Sequence, residues 1–281
     1  NGGCRFIKLL SNFNALITIA PSISNLAPGF GIRLISLLDM KPIQYIPAHK
    51  KPVKSLTKIS NNLILSVSLD KTAKISDIRS SQPVFIDECD SVPWSSESNS
   101  DQSNFFYIGF NNGSIATYDM RKAMTPCFQT DNKKRNAKQT PCIGIQYAPK
   151  SVNGPNGVFS AQLSSLSFFS CNDNIVQSEC IPLPCEGNIS SIDFDMLTQH
   201  LLVSKRPDKF SSYTRHELLL VEIFDEENIS SDSPPVLIRP HLVHKLNAGS
   251  LNTYLNKSYF SKSPMSSDEY CVYAGDEASK S

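Results

Sequence analysis

The residues whose side chains are suited to catalysis or metal binding are few and widely spaced. Of the five histidines in the 281 residues, only His241 and His244 lie close together in the sequence. A spacing of three places two side chains on opposite faces of a β-strand, where they would make poor co-ligands. His49 has no second His or Cys at a ligand spacing. The histidines therefore predict neither a metal site nor a catalytic base.

The eight cysteines do not form a zinc-binding or disulfide pattern. They occur at irregular intervals, and none belongs to the C-x-x-C pair that zinc sites commonly use. Cys180 and Cys185 flank a proline-rich turn and could pair only if that turn brings them close, so free thiols are the favoured interpretation. The cysteines indicate a reduced, intracellular compartment, and no cofactor is predicted for these residues.

Motifs for nucleophilic catalysis and nucleotide binding are absent. The sequence has no G-x-S-x-G turn, no H-E-x-x-H helix and no G-x-x-x-x-G-K-[S/T] loop. Gly29 and Gly31 form a lone G-x-G, which is more simply a tight turn entering a strand. No catalytic residue is predicted.

An internal repeat indicates which elements position the polar residues. Residues 63–79 (LILSVSLDKTAKISDIR) align without a gap with residues 105–121 (FFYIGFNNGSIATYDMR), at an offset of 42 residues. Each copy has an apolar strand, a polar turn, a second alternating strand and then Asp-x-Arg. A period of about 40 to 45 residues with this layout is typical of a four-stranded propeller blade. The sequence therefore predicts an all-β propeller.

Alternating apolar residues and turn signals predict further blades. The predicted strands are 15–19, 30–38 and 44–47; then 142–147, 157–162, 166–170 and 175–181; then 189–194, 200–204, 216–224 and 236–238; and a last blade from about 254 to 274. This is about five and a half blades, where a complete propeller is expected to have seven. Because the chain starts at Asn1 and stops after a second strand, residues 1–281 are expected to be one propeller truncated within a late blade. No long window has helical periodicity.

The first copy of the repeat resembles the WD-repeat family. Residues 66–77, SVSLDKTAKISD, match the family's S-x-S-x-D-x-T-x-x-x-W-D with Ser76 in the place of Trp. His49 stands where the family's Gly-His dipeptide places its histidine. The resemblance implies that such residues form a buried hydrogen-bond network within a blade, which the missing Trp leaves incomplete. The residues assigned to this structural network are His49, Asp70, Asp77 and Asp119.

The charge of the chain does not favour nucleic acid or a membrane surface. Twenty-seven Lys and Arg against 26 Asp and Glu leave a formal charge of +1, which gives no global field to attract phosphates. The basic segment 133–138 lacks the interleaved aromatic residues of a single-strand binding surface, so we interpret it as a solvated loop. No apolar run approaches the roughly 18 residues that span a bilayer.

Several segments together resemble the C-terminal propeller of the RING finger and WD repeat domain-containing protein 3 family. In order they are YIPAHK (45–50), LILSVSLDKT (63–72), PWS (93–95), YIGFNNGSIATYDMR (107–121), RPDK (206–209) and AGDEASKS (274–281). The resemblance implies a nuclear RING-type ubiquitin ligase whose zinc-binding RING domain and coiled coil lie upstream. It implies that the propeller binds replication protein A, and that the RING recruits the ubiquitin-conjugating enzyme. Replication protein A and the recombinase would become substrates at stalled forks and interstrand crosslinks.

The propeller's expected role is recruitment, with contacts at the turns after second strands and at the rim. The proline of RPDK ends strand pairing and holds three charged side chains at a turn, for which a salt-bridged surface turn is the alternative. Trp94, the only tryptophan, is expected to pack in the core, with a binding hot spot at the rim as the alternative because tryptophan is the type most enriched there. The candidate partner-binding residues are Asp70, Lys71, Asn111, Asn112, Arg206, Asp208, Lys209, Asp276, Glu277 and Trp94.

Two fold-critical positions and two competing functions complete the expectations. Ile192 and Phe194 alternate within strand 189–194 and should point inward, so a charge at Ile192 should disrupt a blade. The main competing function is a WD-repeat scaffold without an attached ligase. A propeller enzyme with a site in its central channel would need a convergent set of acidic or His residues, which the sequence lacks.

Overall fold

The computed structural model describes residues 6–22, 28–80, 82–122, 125–130, 140–151, 154–209, 211–225, 236–250, 257–263, 265–266 and 269–275. The chain divides into two compact units, residues 1–142 and 143–281. Across the described residues the regular structure is β-strand, apart from one 3-10 turn at Ser11–Phe13. The prediction of an all-β fold is confirmed.

Within its described residues, the first unit has three four-stranded antiparallel sheets, each a meander of consecutive strands. The first sheet contains β1 (Ile7–Leu10), β2 (Ala15–Pro21), β3 (Phe30–Ser36) and β4 (Pro42–His49). The second contains β5 (Val53–Lys58), β6 (Leu63–Ser68), β7 (Thr72–Asp77) and β8 (Gln82–Glu88). The third contains β9 (Pro93–Ser98), β10 (Phe105–Phe110), β11 (Ile115–Asp119) and β12 (Phe128–Gln129).

The second unit continues the same arrangement. Its first sheet contains β13 (Cys142–Ala148), β14 (Gly157–Gln162), β15 (Leu166–Asn172), β16 (Ile175–Val176) and β17 (Ile181–Leu183), with β17 paired to β15. Its second contains β18 (Asn188–Asp195), β19 (His200–Arg206), β20 (Arg215–Asp225) and β21 (Val236–Asn247). Its third contains β22 (Tyr259–Lys262) and β23 (Tyr270–Tyr273). In the described part of the chain, five sheets of at least four strands and one of two strands agree with about five and a half blades.

The 42-residue repeat is visible in the register of the strands. Leu63 pairs with Asp77 in the second sheet, and Phe105 pairs with Asp119 in the third. The turns inside these pairs also match, because Lys71 has a φ of 66° where the repeat has Gly113 at 79°. The two hairpins therefore share both pairing and turn geometry.

Strand alternation places the core between neighbouring sheets. In β6, Ile64 packs in a cluster with residues of the first sheet, whereas Leu65 and Val67 pack in a cluster with residues of the third. Successive side chains of a strand point to opposite faces, so a sheet covered on both sides buries apolar residues on both. This explains the almost continuous apolar run LILSVS.

The strand β1 was not among those that the sequence predicted. It is four residues long and pairs with β2 from Ile7 opposite Thr18 to Leu10 opposite Ala15. Ile7 and Leu9 are about half exposed, and only Leu10 is fully buried. A short strand with one buried side chain leaves no clear alternation to detect.

Candidate partner-binding surface

The structure brings His49 and Asp70 together at the end of the second sheet. His49 is buried; its Nε2 lies 2.9 Å from Ser66 Oγ, and its Nδ1 lies 2.9 Å from Thr72 Oγ1 and 3.2 Å from Asp70 Oδ2. The Asp70 carboxylate also accepts hydrogen bonds from the backbone N–H groups of Lys50 and Thr72. Both ring nitrogens of His49 have partners, so its role is to connect the end of β4 to the turn between β6 and β7.

The electrostatics of this network favour a neutral imidazole beside an ionised carboxylate. Burial lowers the pKa of His49 below its ordinary value, although the Asp70 charge opposes the shift. Burial alone would raise the pKa of Asp70, but the hydrogen bonds from the Thr72 hydroxyl and from the backbone N–H groups of Lys50 and Thr72 outweigh it, so this pKa is lowered. A buried, neutral and fully bonded histidine is a poor proton acceptor for a substrate.

The third sheet repeats the network with uncharged residues. Ser91, Asn112 and Ser114 stand 42 residues after His49, Asp70 and Thr72. The Asn112 amide donates to Ser91 Oγ at 3.3 Å, and its carbonyl accepts the N–H and hydroxyl of Ser114 at 3.0 and 2.7 Å. Asn112 therefore holds its turn in shape, as Asp70 does.

Asp77 and Asp119 lie at the other ends of β7 and β11, outside the His49 network to which the sequence assigned them. Each carboxylate accepts a bidentate contact from the arginine two residues later, at 2.7 and 3.1 Å from Arg79 and at 2.8 and 2.9 Å from Arg121. A strand of five or six residues separates these carboxylates from the turns that precede β7 and β11. They stabilise the turns that follow their own strands.

Turns after second strands carry most of the predicted partner-binding residues, and exposure divides these into two groups. Lys71, Asn111 and Lys209 are exposed, and Arg206 is half-buried. Asp70, Asn112 and Asp208 are mostly covered, and their polar atoms form the turns themselves. Asp276 and Glu277 lie outside the described residues, as does the basic segment 133–138.

Asp208 shows why a turn carboxylate cannot be treated as a free surface charge. Its Oδ2 accepts the N–H of Asn188 at 3.0 Å, and its Oδ1 accepts the N–H of Ser211 at 3.1 Å. The Arg215 guanidinium lies 3.3 Å from Oδ2, and both side chains are more than nine-tenths buried. Of the other two charged side chains of RPDK, Arg206 is half-buried and Lys209 is exposed.

Trp94 lies in β9 and is half-buried. This exposure fits neither a fully buried core residue nor a fully exposed binding residue. The Nζ of Lys54 lies 4.3 Å from the centroid of its ring, a cation–π distance. The indole thus contributes to the structure while part of it stays accessible.

A cleft of about 450 Å³ opens beside the His49 network, and its cationic lining was not predicted. We call it the lysine cleft; it is lined by Lys50, Asp70, Lys71, Thr72, Lys74, Glu88 and Cys89. Lys74 Nζ donates to the carbonyl of Ala48 at 2.6 Å, and Lys71 Nζ donates to that of Asp90 at 3.3 Å. The only sequence feature that could have predicted this lining is that Thr72 and Lys74, two positions apart in β7, lie on the same face of the strand.

A second polar cluster that the sequence did not reveal joins the second and third sheets. The buried carboxylate of Asp87 accepts hydrogen bonds from Tyr118 OH at 2.7 Å and Cys89 Sγ at 3.4 Å. Burial and the Asp87 charge raise the pKa of Cys89 to about 12 and also raise the pKa of Tyr118. The thiol is therefore protonated and unreactive, and the cluster is structural.

His241 and His244 share one face of β21, contrary to the expectation from their spacing. They pair with Leu220 and Leu218, because a register shift leaves Val243 as an extra residue between them. A β-bulge of this kind changes the side-chain alternation. Within the described part of the chain, no group of three or more His, Cys, Asp or Glu residues is placed to hold a metal ion, and the seven described cysteines are free thiols.

A family model described as the WD40 domain of E3 ubiquitin-protein ligase RFWD3 matches residues 1–281 of this chain. The chain belongs to the RFWD3 WD40 domain family. Relatives named E3 ubiquitin-protein ligase RFWD3 are 29% identical in Ailuropoda melanoleuca and 28% identical in Mus musculus and Homo sapiens, with all of this chain aligned. The chain spans 36% of the length of each of these relatives.

A solved structure supports the RFWD3-type WD40 domain as a β-propeller. The crystal structure of the Cps50 (Swd1) β-propeller domain of Myceliophteria thermophila has a TM-score of 0.64 to this chain, at 12% identity. The match covers 88% of this chain and 72% of that one. The predicted fold class is confirmed. Among described residues, no helix of this WD40 domain is long and apolar enough to cross a membrane.

The fold-critical residues of this RFWD3-type domain lie in β18. Ile192 and Phe194 are both buried. A Cβ added to Gly144 of β13 would lie 2.9 Å from Ile192 Cγ1, which shows how closely these two strands pack. Phe194 contacts Phe159 with ring centroids 5.1 Å apart. A charged side chain at Ile192 would have no space and no partner.

Proposed function

We propose that this WD40 domain recruits substrates to a nuclear RING-type ubiquitin ligase, and that replication protein A is its main partner. The membership of residues 1–281 in the RFWD3 WD40 family carries the proposal. The relatives are named as ubiquitin ligases and are nearly three times as long as this chain. In this proposal, the zinc-binding RING domain belongs to sequence outside the chain, where it engages the ubiquitin-conjugating enzyme.

The mechanism is proximity. A domain that holds replication protein A beside the RING raises the effective concentration of substrate lysines at the charged conjugating enzyme. In this proposal, replication protein A and the recombinase are the substrates, and they are ubiquitinated at stalled forks and interstrand crosslinks. The domain itself contributes positioning, which is consistent with the bonded and buried state of His49 and Asp70.

The contact surface that we favour consists of the exposed side chains at the turns after second strands. Lys71, Asn111 and Lys209 are exposed there and Arg206 is half-buried, whereas their neighbours Asp70, Asn112 and Asp208 hold the turns in shape. Binding energy at protein interfaces is concentrated in a few anchors. These side chains, with Trp94, are the candidates.

Binding of intact ligase to replication protein A tests the proposal. The full-length protein and an Arg206→Gln, Lys209→Gln variant would be compared by biolayer interferometry, with Asp208 left intact because it forms the turn. A Lys41→Gln, Lys122→Gln variant removes two exposed positive charges elsewhere. We expect the first variant to bind about three- to tenfold more weakly and the control to bind normally.

Ubiquitin transfer separates recruitment from catalysis. The Arg206→Gln, Lys209→Gln variant should modify replication protein A more slowly while modifying itself at the normal rate. Full binding of replication protein A by a ligase that lacks residues 1–281 would overturn the proposal. If the full-length protein transfers no ubiquitin, the competing function of a WD-repeat scaffold without an attached ligase would be favoured instead.

A further inference from the structure

We propose that the lysine cleft binds an acidic peptide segment of a protein partner. The proposal rests on the recruiting function above and names the chemistry of one contact. The cleft presents three lysines, Lys50, Lys71 and Lys74, within about 450 Å³. Binding pockets typically range from about 300 to 1,000 Å³, so this one is large enough for one or two carboxylate side chains.

The fold positions two of these ammonium groups. The bonds to Ala48 O and Asp90 O each use one of the three N–H donors of Lys74 and Lys71. Side chains fixed in this way lose less conformational entropy when they bind a ligand. Lys50 follows His49, and its backbone N–H is fixed by Asp70.

The Asp70 carboxylate does not neutralise the positive charge of the three lysines at the surface of the cleft. Its oxygens accept hydrogen bonds from His49, Lys50 and Thr72, and its side chain is only 9% exposed. Its charge is directed to groups of the turn, whereas Lys50 and Lys71 are exposed.

The backbone at Lys71 gives an independent reason to assign a function to this lysine. Lys71 has a φ of 66°, in the left-handed region that favours glycine, and Gly113 occupies the equivalent position in the third sheet with a φ of 79°. A non-glycine residue there is strained, because its Cβ comes close to the neighbouring backbone. The second sheet thus retains a charged side chain where the repeat shows that glycine fits.

The anionic residues at the rim favour a peptide over nucleic acid. Glu88 lines the cleft and Asp90 lies beside it, and both are exposed. A continuous chain of phosphates would pass these carboxylates and be repelled. A peptide can place its acidic side chains on the lysines and a neutral residue opposite Glu88.

Fluorescence anisotropy of the full-length protein with three probes tests this assignment. The probes are a fluorescein-labelled ten-residue peptide that alternates Glu and Ser, a matched Gln–Ser peptide and a single-stranded ten-nucleotide DNA. We expect the Glu–Ser peptide to bind, with an affinity that falls as salt rises from 50 to 300 mM, and the Gln–Ser peptide not to bind. Preferential binding of the DNA, or no binding of the Glu–Ser peptide, would overturn the proposal.

The decisive variants are the double substitution Lys50→Gln, Lys71→Gln and, separately, the single substitution Lys71→Gly. The double substitution removes two contacts, so it should weaken binding of the Glu–Ser peptide about three- to tenfold, whereas the Lys41→Gln, Lys122→Gln control should leave that binding unchanged. Lys71→Gly removes the charge and the backbone strain together, so it should weaken binding without lowering the melting temperature. Undiminished affinity in both cleft variants would contradict the proposal.

The two proposals can fail independently. If the intact protein binds replication protein A but not the Glu–Ser peptide, the lysine cleft is not an acidic-peptide site and the recruiting function stands. If it binds the peptide but not replication protein A, the cleft is supported and its partner is a different acidic protein.

Discussion

A histidine hydrogen-bonded to a carboxylate resembles a catalytic pair, and the surroundings of His49 decide what the pair does. Ser66 and Thr72 complete the hydrogen bonds of the ring, and both His49 and Ser66 are buried. A buried polar group costs free energy unless it is paired, so a fully paired group stabilises one specific arrangement of strands. The same side chains with an open hydrogen-bonding position would support a catalytic interpretation.

The buried histidines predict a pH dependence of stability. Burial lowers the pKa of His49 and of His216 in the folded protein, whereas the unfolded chain titrates near 6.5. The unfolded state therefore binds more protons below that pH, and the stability present above pH 6.5 is lost as pH falls towards the folded pKa. We expect thermal melts to show a lower melting temperature at pH 5.5 than at pH 7.5.

Substitution of one buried histidine isolates its contribution. His216→Asn should reduce this pH dependence, because it removes an imidazole whose pKa burial lowers. A melting temperature that rises as pH falls through 6.5 would show that these histidines are not the groups responsible.

The sequence predicted those site residues that a repeat motif marks, and missed those that strand register assembles. The spacing of His49 and Asp70 follows the WD pattern, which made their contact predictable. Lys50 and Lys74 are 24 positions apart, and Asp87 and Tyr118 are 31 apart. Which residues of separate strands become neighbours depends on the packing of two sheets, and a single sequence shows no such pairing.

At the scale of strands and turns, the two copies of the repeat show how one backbone accepts different chemistry. The turn of the second sheet has Asp70 and Lys71, whereas that of the third has Asn112 and Gly113. Hairpin alternation and the period predicted most strands. The bulge at Val243 could not be predicted, because an inserted residue changes the face of every later side chain without changing composition.

The packing of β18 predicts a large loss of stability when Ile192 is replaced by lysine. An ammonium group would be buried among apolar side chains with no anionic partner, so we expect a loss of about 3 to 5 kcal/mol in the free energy of unfolding. Leu197→Lys introduces the same side chain at an 83% exposed position of the adjacent turn and should cost less than about 0.5 kcal/mol. Urea unfolding followed by far-UV circular dichroism measures the stability of both variants. Equal urea midpoints for the two variants would refute the assignment of Ile192 to the core.

For the molecule as a whole, the family and the fold could be assigned although no single residue marks them. The chain is an all-β domain of the RFWD3 WD40 family, and its similar relatives are named as ubiquitin ligases. The partner could not be assigned in the same way, because partner-binding residues lie on variable surface turns, whereas the core and the hydrogen-bond networks determine the fold. For this reason the fold was predictable from repeats, and the partner-binding residues are proposals that mutagenesis must separate.

The exposed strand β23 predicts that the 281-residue chain self-associates. In the described part of its sheet, β23 pairs with β22 alone, and Tyr270 and Tyr273 are 42% and 49% exposed. An uncovered edge strand offers unpaired backbone groups to another chain, and a two-stranded sheet is only marginally stable. Light scattering after size-exclusion chromatography should show mass rising with protein concentration, and Tyr273→Lys should reduce that rise because a charged side chain discourages edge pairing. A monomer of constant mass with a cooperative melt at high temperature would contradict this prediction, and would show that β23 is protected by contacts other than strand pairing.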